Sequence, residues 1–532
     1  MSTHPRSIRR NLSRREHRAR RPLAVLAVVL LVATACGARL TKAQMAALDS
    51  QNGGYNQTSS NNGVASGPAG GGQPSGSGVV ANPTGGAKSG GTGGSTRTGT
   101  GGGGVAGGGG TGNSSGTGPQ AGGGGGGGGG GTVIQAGNPL AGPGGKVCAA
   151  GAAGSGPGVT ASTITVGNIA TVNGPVPGLF AGARYGAQAV ADYINSLGGI
   201  CGRQLRVNSA DDQFDQATDQ QEAASMSNSV LAFMGSFSLQ DAGIPAGAPS
   251  VPDLGESLSS QRFNSPQNYS PQPEAPGYNE GEYVYMKSLP QYAAASQHMA
   301  ILAENTPATA NTGKWEEAAL EAAGYKFIFK DFTLQPTDPT FNGDVQKMKS
   351  AGVQGVIFQG TGTIIGQLAN AMYADGMKVV FGNYCPSAYD PSYLSNAGPG
   401  TAGTILSQSL ALYDGEDASA IPMVATLDQW YSRVNPGQVP DIYAAYAWMS
   451  GLMLAQALNE SGNVSRAGLA TGLKTLTSFT GDGLSAPSNP VGKTPPNCYV
   501  MIVVVNGKFA RAPQTPSGFR CTDAAYYHYP GS

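Results

Sequence analysis

The chain has 532 residues, 39% of them hydrophobic and 12% charged, with 85 glycines and a formal net charge of zero. Those averages hide a split: 45 of the 85 glycines lie between positions 51 and 160, so a low-complexity tract precedes a domain of ordinary composition. Eight arginines against one glutamate crowd the first 21 residues; without them Lys+Arg falls from 31 to 23 and Asp+Glu from 31 to 30, leaving a charge of about −7. That balance argues against nucleic acid as a partner, because a phosphate backbone needs a basic face. Of the four histidines, His4 and His17 belong to the N-terminal segment, and only His298 and His528 remain for metal or triad chemistry.

Thirteen apolar or small residues follow the arginines, at 23–35, and end at Cys36. A bilayer span needs about 20, so the basic stretch, the short apolar stretch and the small residues read as a secretory signal peptide over 1–36. The sequence ATAC at 33–36 resembles the lipobox of bacterial lipoproteins. That resemblance implies lipidation of Cys36, cleavage before it, and a lipid-anchored protein on the outer face of the plasma membrane. Neither early Arg-Arg pair is followed by the apolar pair of twin-arginine signals.

From 37 to about 157 the sequence runs through Gly, Ser, Thr, Asn and Pro, including ten consecutive glycines at 122–131. Such a segment cannot bury enough apolar surface to offset chain entropy, so it reads as a disordered tether. As a flexible coil it would reach roughly 60 Å. GNSSG at 112–116 matches the serine-hydrolase elbow in letters only, with no strand before it and no helix after it.

The remaining residues, 158–532, exceed the ~250–300 at which one hydrophobic core stops growing, so two lobes are expected. Short apolar β-type runs alternate with amphipathic helical stretches, the pattern of parallel α/β units. A strand is predicted at 163–169. Apolar positions Leu179, Ala183, Ala187, Val190, Ile194 and Leu197 then step by three or four and stop at Gly198, which predicts a helix. A strand at 204–208, a helix over 216–229 and a strand at 230–234 follow. Further strands are predicted at 299–302, 326–329, 355–358 and 378–381, with helices near 313–323, 341–351 and 364–375. A long apolar helix is expected over 441–458, and a hairpin whose first strand, 499–505, turns at Asn506 and Gly507.

The segments GVTASTITVG (158–167), AQAVADYIN (187–195), GGICGR (198–203) and DDQ (211–213) resemble the opening of the type I periplasmic binding proteins. This is the group of the leucine/isoleucine/valine-binding proteins of ABC importers. FNGDVQKMKSAG (341–352) and IYAAY (442–446) resemble the same family's second lobe and return helix. The resemblance implies two α/β lobes joined by three crossovers and closing on a small ligand. The lobes would comprise about 158–294 plus 408–485, and about 295–407 plus 486–532. It further implies a solute-binding protein that delivers an amino acid or a related amide or carboxylate to an ABC permease. A tethered sensor with the same fold is the alternative.

Loops at the C-terminal ends of parallel strands present helix N-termini that suit a carboxylate. GSFS (235–238) stands where the family holds the ligand carboxylate, which points to Ser236 and Ser238, with Asp253 in the next loop. From the second lobe, Glu304, Asn305, Thr361, Asn383 and Tyr384 end successive strands. FGNYCP (381–386) offers no carboxylate where the amino-acid binders resemble one another in having one; Glu304 and Asp390 are the substitutes on offer. GTGTIIG (360–366) has neither the spacing nor the acidic ribose partner of a dinucleotide loop.

No pair of cysteines has metal-ligand spacing, and no metal or cofactor is expected. Cys148 and Cys201 flank the first βα unit and Cys498 and Cys521 flank the last hairpin, so they are paired in that way in an exported chain. Cys385 is left as a buried thiol, a residue beside the ligand, or a sign that the pairing is different. As a nucleophile it would need a general base, and His298 starts its strand at the end away from the cleft, so no enzyme is expected.

Overall fold

The computed structural model describes Thr132–Ile134 and residues 137–530, apart from 175–177, 179, 239, 258, 274–276, 306, 335–339, 514–517 and 523–525. The signal peptide, Cys36 and most of the tether lie outside the described residues.

Order begins before the expected boundary near residue 158. Strands β1 (Thr132–Ile134) and β2 (Lys146–Cys148) pair antiparallel, and Leu140, Cys148 and Ala152 are buried in the main core. Sequence reasoning grouped 137–157 with the Gly-rich stretch because its composition is similar. Specific partners hold it instead: the Asn459 amide donates to Leu140 O and accepts from Cys148 N, Lys146 pairs with Glu460, and Cys148 is disulfide-bonded to Cys201.

The first parallel unit is β3 (Thr163–Ala170), helix α1 (Ala181–Ser196) and β4 (Gln204–Asp211), then α2 (Gln216–Met226), β5 (Phe233–Met234) and β6 (Asp253–Leu254). Four of these strands form an all-parallel sheet in the order β4-β3-β5-β6. The chain then crosses to a second sheet through β7 (Gly277–Asn279) and α3 (Gly281–Ser288). There it builds β8 (Met299–Glu304), α4 (Pro307–Ala322), β9 (Phe327–Leu334), α5 (Asn342–Ala351), β10 (Gly355–Gln359), α6 (Gly362–Ala374), β11 (Phe381–Tyr384), α7 (Pro391–Ala397) and β12 (Thr404–Gln408). Helix α3, grouped above with the first lobe, carries Tyr283, Tyr285 and Met286 into a cluster with Met299, Ile301 and Ile357, under the second sheet.

The return leg is helical: α8 (Pro422–Val434), α9 (Ile442–Ser461) and α10 (Arg466–Leu473). Helix α9 packs closely on α1 at two glycines. A Cβ on Gly186 would stand 2.5 Å from Ala444 O, and one on Gly451 would stand 2.4 Å from Val190 Cγ1. A last crossing leads to β13 (Val500–Val505) and β14 (Lys508–Arg511), which add antiparallel to β12, and to β15 (Tyr526–His528), which pairs with β7. The turn between β13 and β14 has Asn506 at φ 52° and Gly507 at φ 72°, the left-handed pair that an Asn-Gly hairpin turn requires. Cys498 and Cys521 are joined across this end of the chain.

The second sheet runs β14-β13-β12-β11-β10-β8-β9. In each sheet the strand order reverses after the first strand, at β3/β5 and at β8/β10. Crevices beyond the carboxyl ends of strands at such points are where open α/β sheets bind ligands.

Candidate functional site

A cavity of about 240 Å³ opens at those reversal points and takes residues from the second sheet and from the loops that follow β5 and β6 of the first. Phe237, just after β5, and Gln359, at the end of β10, both line it. All three crossings contribute as well, through Gln272, Ser409 and Pro496. The crossings are bonded to one another: Gln272 Nε2 donates to Ser409 O at 3.2 Å, and Ser409 Oγ donates to Cys498 O at 2.9 Å. Movement of one lobe against the other therefore has to pass through these contacts.

The first-sheet wall is aromatic. Phe237 meets Phe180 at 4.8 Å and Tyr443 at 4.5 Å between ring centroids, and it stacks on Tyr446. Tyr443 and Tyr446 come from the first turns of α9, whose N-terminus is capped by Asp441 accepting from Ala444 N at 2.8 Å. Glu256 and Ser257 complete this side. Glu256 accepts from Gln272 N at 2.9 Å and from Ser270 Oγ.

The second-sheet wall is more polar. Gln359 is fixed by Glu316, which accepts from Gln359 Nε2 at 2.6 Å and from the Tyr283 hydroxyl. Burial pushes the Glu316 carboxyl up to about 7 against these hydrogen bonds. Glu282, in the first turn of α3, is 4% exposed, and its Oε1 accepts from Ser407 Oγ at 3.1 Å. Its Oε2 is buried without a hydrogen-bond partner among the described residues. Burial pushes its carboxyl up to about 8. Neither carboxylate was singled out in the sequence, since neither Glu316 within α4 nor Glu282 at the head of the short α3 carries a distinguishing pattern there.

The eight residues predicted from the sequence flank the cavity without being among the residues that line it. The Ser236 hydroxyl accepts from Ile169 N at 3.0 Å. The Ser238 hydroxyl donates to Asp212 and accepts from Gln240 N at 2.8 Å, so both serines hold the loop that presents Phe237. Asp253 is chelated by Arg262, with Nε at 2.7 Å and Nη2 at 2.8 Å, and by the Asn268 amide. Glu304 accepts from Thr361 N at 2.9 Å and Thr361 Oγ1 at 3.1 Å, and Thr361 also caps α6. Asn305 is exposed. Asn383 and Tyr384 are still within β11, both buried, and the Asn383 amide has no partner among the described residues. Asp390, the other substitute acid, caps α7 through Ser392 N.

The shift lies at the strand ends. The last parallel strands end later than the apolar runs suggest, so Pro386 and Ser387 line the cavity rather than Asn383 and Tyr384; on β10 it is the final strand residue, Gln359, that lines it rather than Thr361 in the cap beyond. Cys385 lines the cavity at 4% exposure, so of the places the sequence left open for it the structure puts it beside the candidate ligand space. His298 is exposed at the opposite end of β8. Among the described residues no group of acidic, Cys and His side chains is arranged to hold a metal ion.

The profile of the family described as "Periplasmic binding protein" matches residues 163–508. The chain belongs to that family. Solved structures share the fold of this periplasmic binding protein at low identity. The fatty acid ABC transporter substrate-binding protein from Thermomonospora curvata is 19% identical, with a TM-score of 0.56, over 71% of this chain and 99% of its own. A branched-chain amino acid transporter substrate-binding protein from Streptococcus pneumoniae, in complex with isoleucine, is 17% identical, with a TM-score of 0.52, over 66% of this chain and 100% of its own. The leucine-binding protein of Thermotoga maritima gives 14% and 0.52, over 66% of this chain and 98% of its own. No curated protein matches the sequence. The fold is thus the type I, two-lobed one that the sequence resembled, and members of the family are extracytoplasmic binding proteins rather than enzymes.

Proposed function

We propose that this protein is an extracytoplasmic, lipid-anchored solute-binding protein that captures one small polar ligand between its lobes and delivers it to an ABC importer. The observation that carries the reading is the cavity itself, built from the second sheet and the loops of the first and bordered by all three crossings. A ligand there touches both lobes and stabilises the closed arrangement by its differential contacts. At about 240 Å³ the cavity is smaller than the ~300–1,000 Å³ of drug-sized sites, which suits an amino-acid-sized ligand or a related amide. Structural relatives are named for isoleucine, leucine and fatty acid. Cys36 would supply the anchor and the Gly-rich stretch the reach to a permease.

The test is a thermal-shift screen of the protein against amino acids, small amides, amines, aromatic acids and fatty acids. A true ligand at 100 times its Kd raises stability by about 2.7 kcal/mol, and scattering should show the radius of gyration falling as the lobes close. If no compound in any class shifts the transition, solute capture is wrong for this chain.

A further inference from the structure

The charge of the cavity narrows what can occupy it. Two carboxylates, Glu256 and Glu282, line it, and no Lys, Arg or His does so among the described residues. The undescribed residues between 137 and 530 contain none of those three types either. Most other receptors for an anion are already engaged: Asp441 and Thr361 cap the N-termini of α9 and α6, and the Ser236 and Ser238 hydroxyls are bonded within their own lobe, which leaves the neutral Ser257 hydroxyl as the lining donor without a partner among the described residues. A ligand carboxylate would thus be buried with no cationic side chain lining the cavity to pair it, which is costly in a desolvated site.

Glu282 points the other way. Its Oε2 is buried at this cavity without a partner among the described residues, as are Ser257 Oγ and Gln408 Oε1, and it is the one ionisable group of the three; its Oε1 is steered by Ser407, another lining residue. We propose that the ligand is an organic amine without a free carboxylate, its ammonium docking on Glu282 and its apolar body lying against Phe237, Tyr443, Tyr446 and Trp315. Cation–aromatic contact and apolar burial then supply what the head group does not. This inference rests on the solute-capture reading and specifies its ligand.

Protonation gives it a signature. The groups facing Glu282 are Glu280 beside it, Glu316 on α4, the hydroxyls of Tyr278, Tyr283 and Tyr325, and Ser407 on β12. Burial among them pushes the free carboxyl up to about 8, so it keeps its proton to higher pH than an ordinary Glu. An ammonium stabilises the carboxylate, and its binding therefore expels a proton and tightens as pH rises toward 8. A ligand carboxylate would need the neutral acid and would tighten as pH falls.

Calorimetry on the intact protein with three probes of one body, phenethylamine, phenylalanine and 3-phenylpropanoate, separates the cases. The amine is expected to bind tightest and, in two buffers of different ionisation enthalpy at pH 7, to release a proton. E282Q should weaken it at least tenfold. Because a buried substitution can perturb folding, the proton count in the unsubstituted protein stands as an independent readout. Tighter binding of 3-phenylpropanoate, proton uptake with the amine, or no binding of the amine at millimolar concentration overturns the inference. Binding of the carboxylate with lobe closure would do so while leaving solute capture intact.

Discussion

Asp219 illustrates how one side chain can bias the molecule. It lies on α2, fully buried, and neither carboxyl oxygen has a hydrogen-bond partner among the described residues. Burial pushes it up to about 8, with Asp212, Asp241 and Asp253 adding to the rise and Arg262 opposing it. Its folded value stands above the ordinary 3.8, so the native state holds a proton that the unfolded chain gives up. Stability from this site is complete below about pH 4 and is lost progressively as pH rises to about 8. Asp219→Asn removes the dependence, and the gain in melting temperature over the parent should be small at pH 5 and clear at pH 8.5. Equal gains at both pH values would show that Asp219 does not titrate in this window. Nearby Arg262 works oppositely: it offsets Asp253 and Asp241 inside the same core, at 2.7 and 3.9 Å, and a buried ion pair of this kind is costly to leave half-made.

At the level of elements, the α1–α9 contact decides how tightly the first lobe closes. Gly186 and Gly451 let the two backbones approach where any Cβ would collide with Ala444 O or Val190. Gly186→Val should lower unfolding free energy by about 1–3 kcal/mol, the usual penalty for overpacking; an unchanged denaturation midpoint would mean that the helices separate at no cost. The elements also show which parts of the fold were legible. Strong periodicity gave α1 and α9 within three residues of their ends, and the Asn-Gly pair gave the last hairpin. Val379 and Val380 drew the predicted strand to 378–381, but pairing with β10 sets Gly355 opposite Phe381 and makes 381–384 the strand. Val380 is left 42% exposed. Register between neighbours, not local apolarity, decides such cases. Helix α8 was not assigned, although Pro422 at its start and Met423, Val424, Leu427 and Tyr431 at helical spacing were there to be read. The candidate site suffered from the same strand-end errors: a shift of two residues moves a prediction from the cavity wall into the strand interior or the helix cap. Glu282 was beyond reach, because its meaning depends on β12 and β10 arriving from 73 or more positions away.

For the whole molecule, the two disulfides among the described residues secure regions that sequence composition treats differently. Cys148–Cys201 closes a separation of 53 residues and ties 137–157 to the first sheet; Cys498–Cys521 closes 23. Chain-entropy reasoning gives about 4 and about 3 kcal/mol respectively. Replacing both Cys148 and Cys201 by Ala should lower stability by about 2–4 kcal/mol and make 137–157 the first site of limited proteolysis. Protection of that segment in the double variant would show that the Asn459 and Glu460 contacts suffice without the bridge. The two-lobed architecture was readable from the length and the αβ alternation; where the ordered chain begins was not, because Gly, Ala and Pro dominate both the tether and the segment that packs.

The separation of α1 from α9 also sets an order of assembly. Between Ser196 and Ile442 the chain makes the whole parallel part of the second sheet, so that sheet can form while the first lobe still lacks its central helix. Synthesised from the N-terminus, the first lobe has no finished core until residue 461 has emerged. Contacts so distant in sequence are slow to form. In a nascent chain of this design the second sheet's parallel part can set early, while the first lobe stays without its central helix until the last fifth is made.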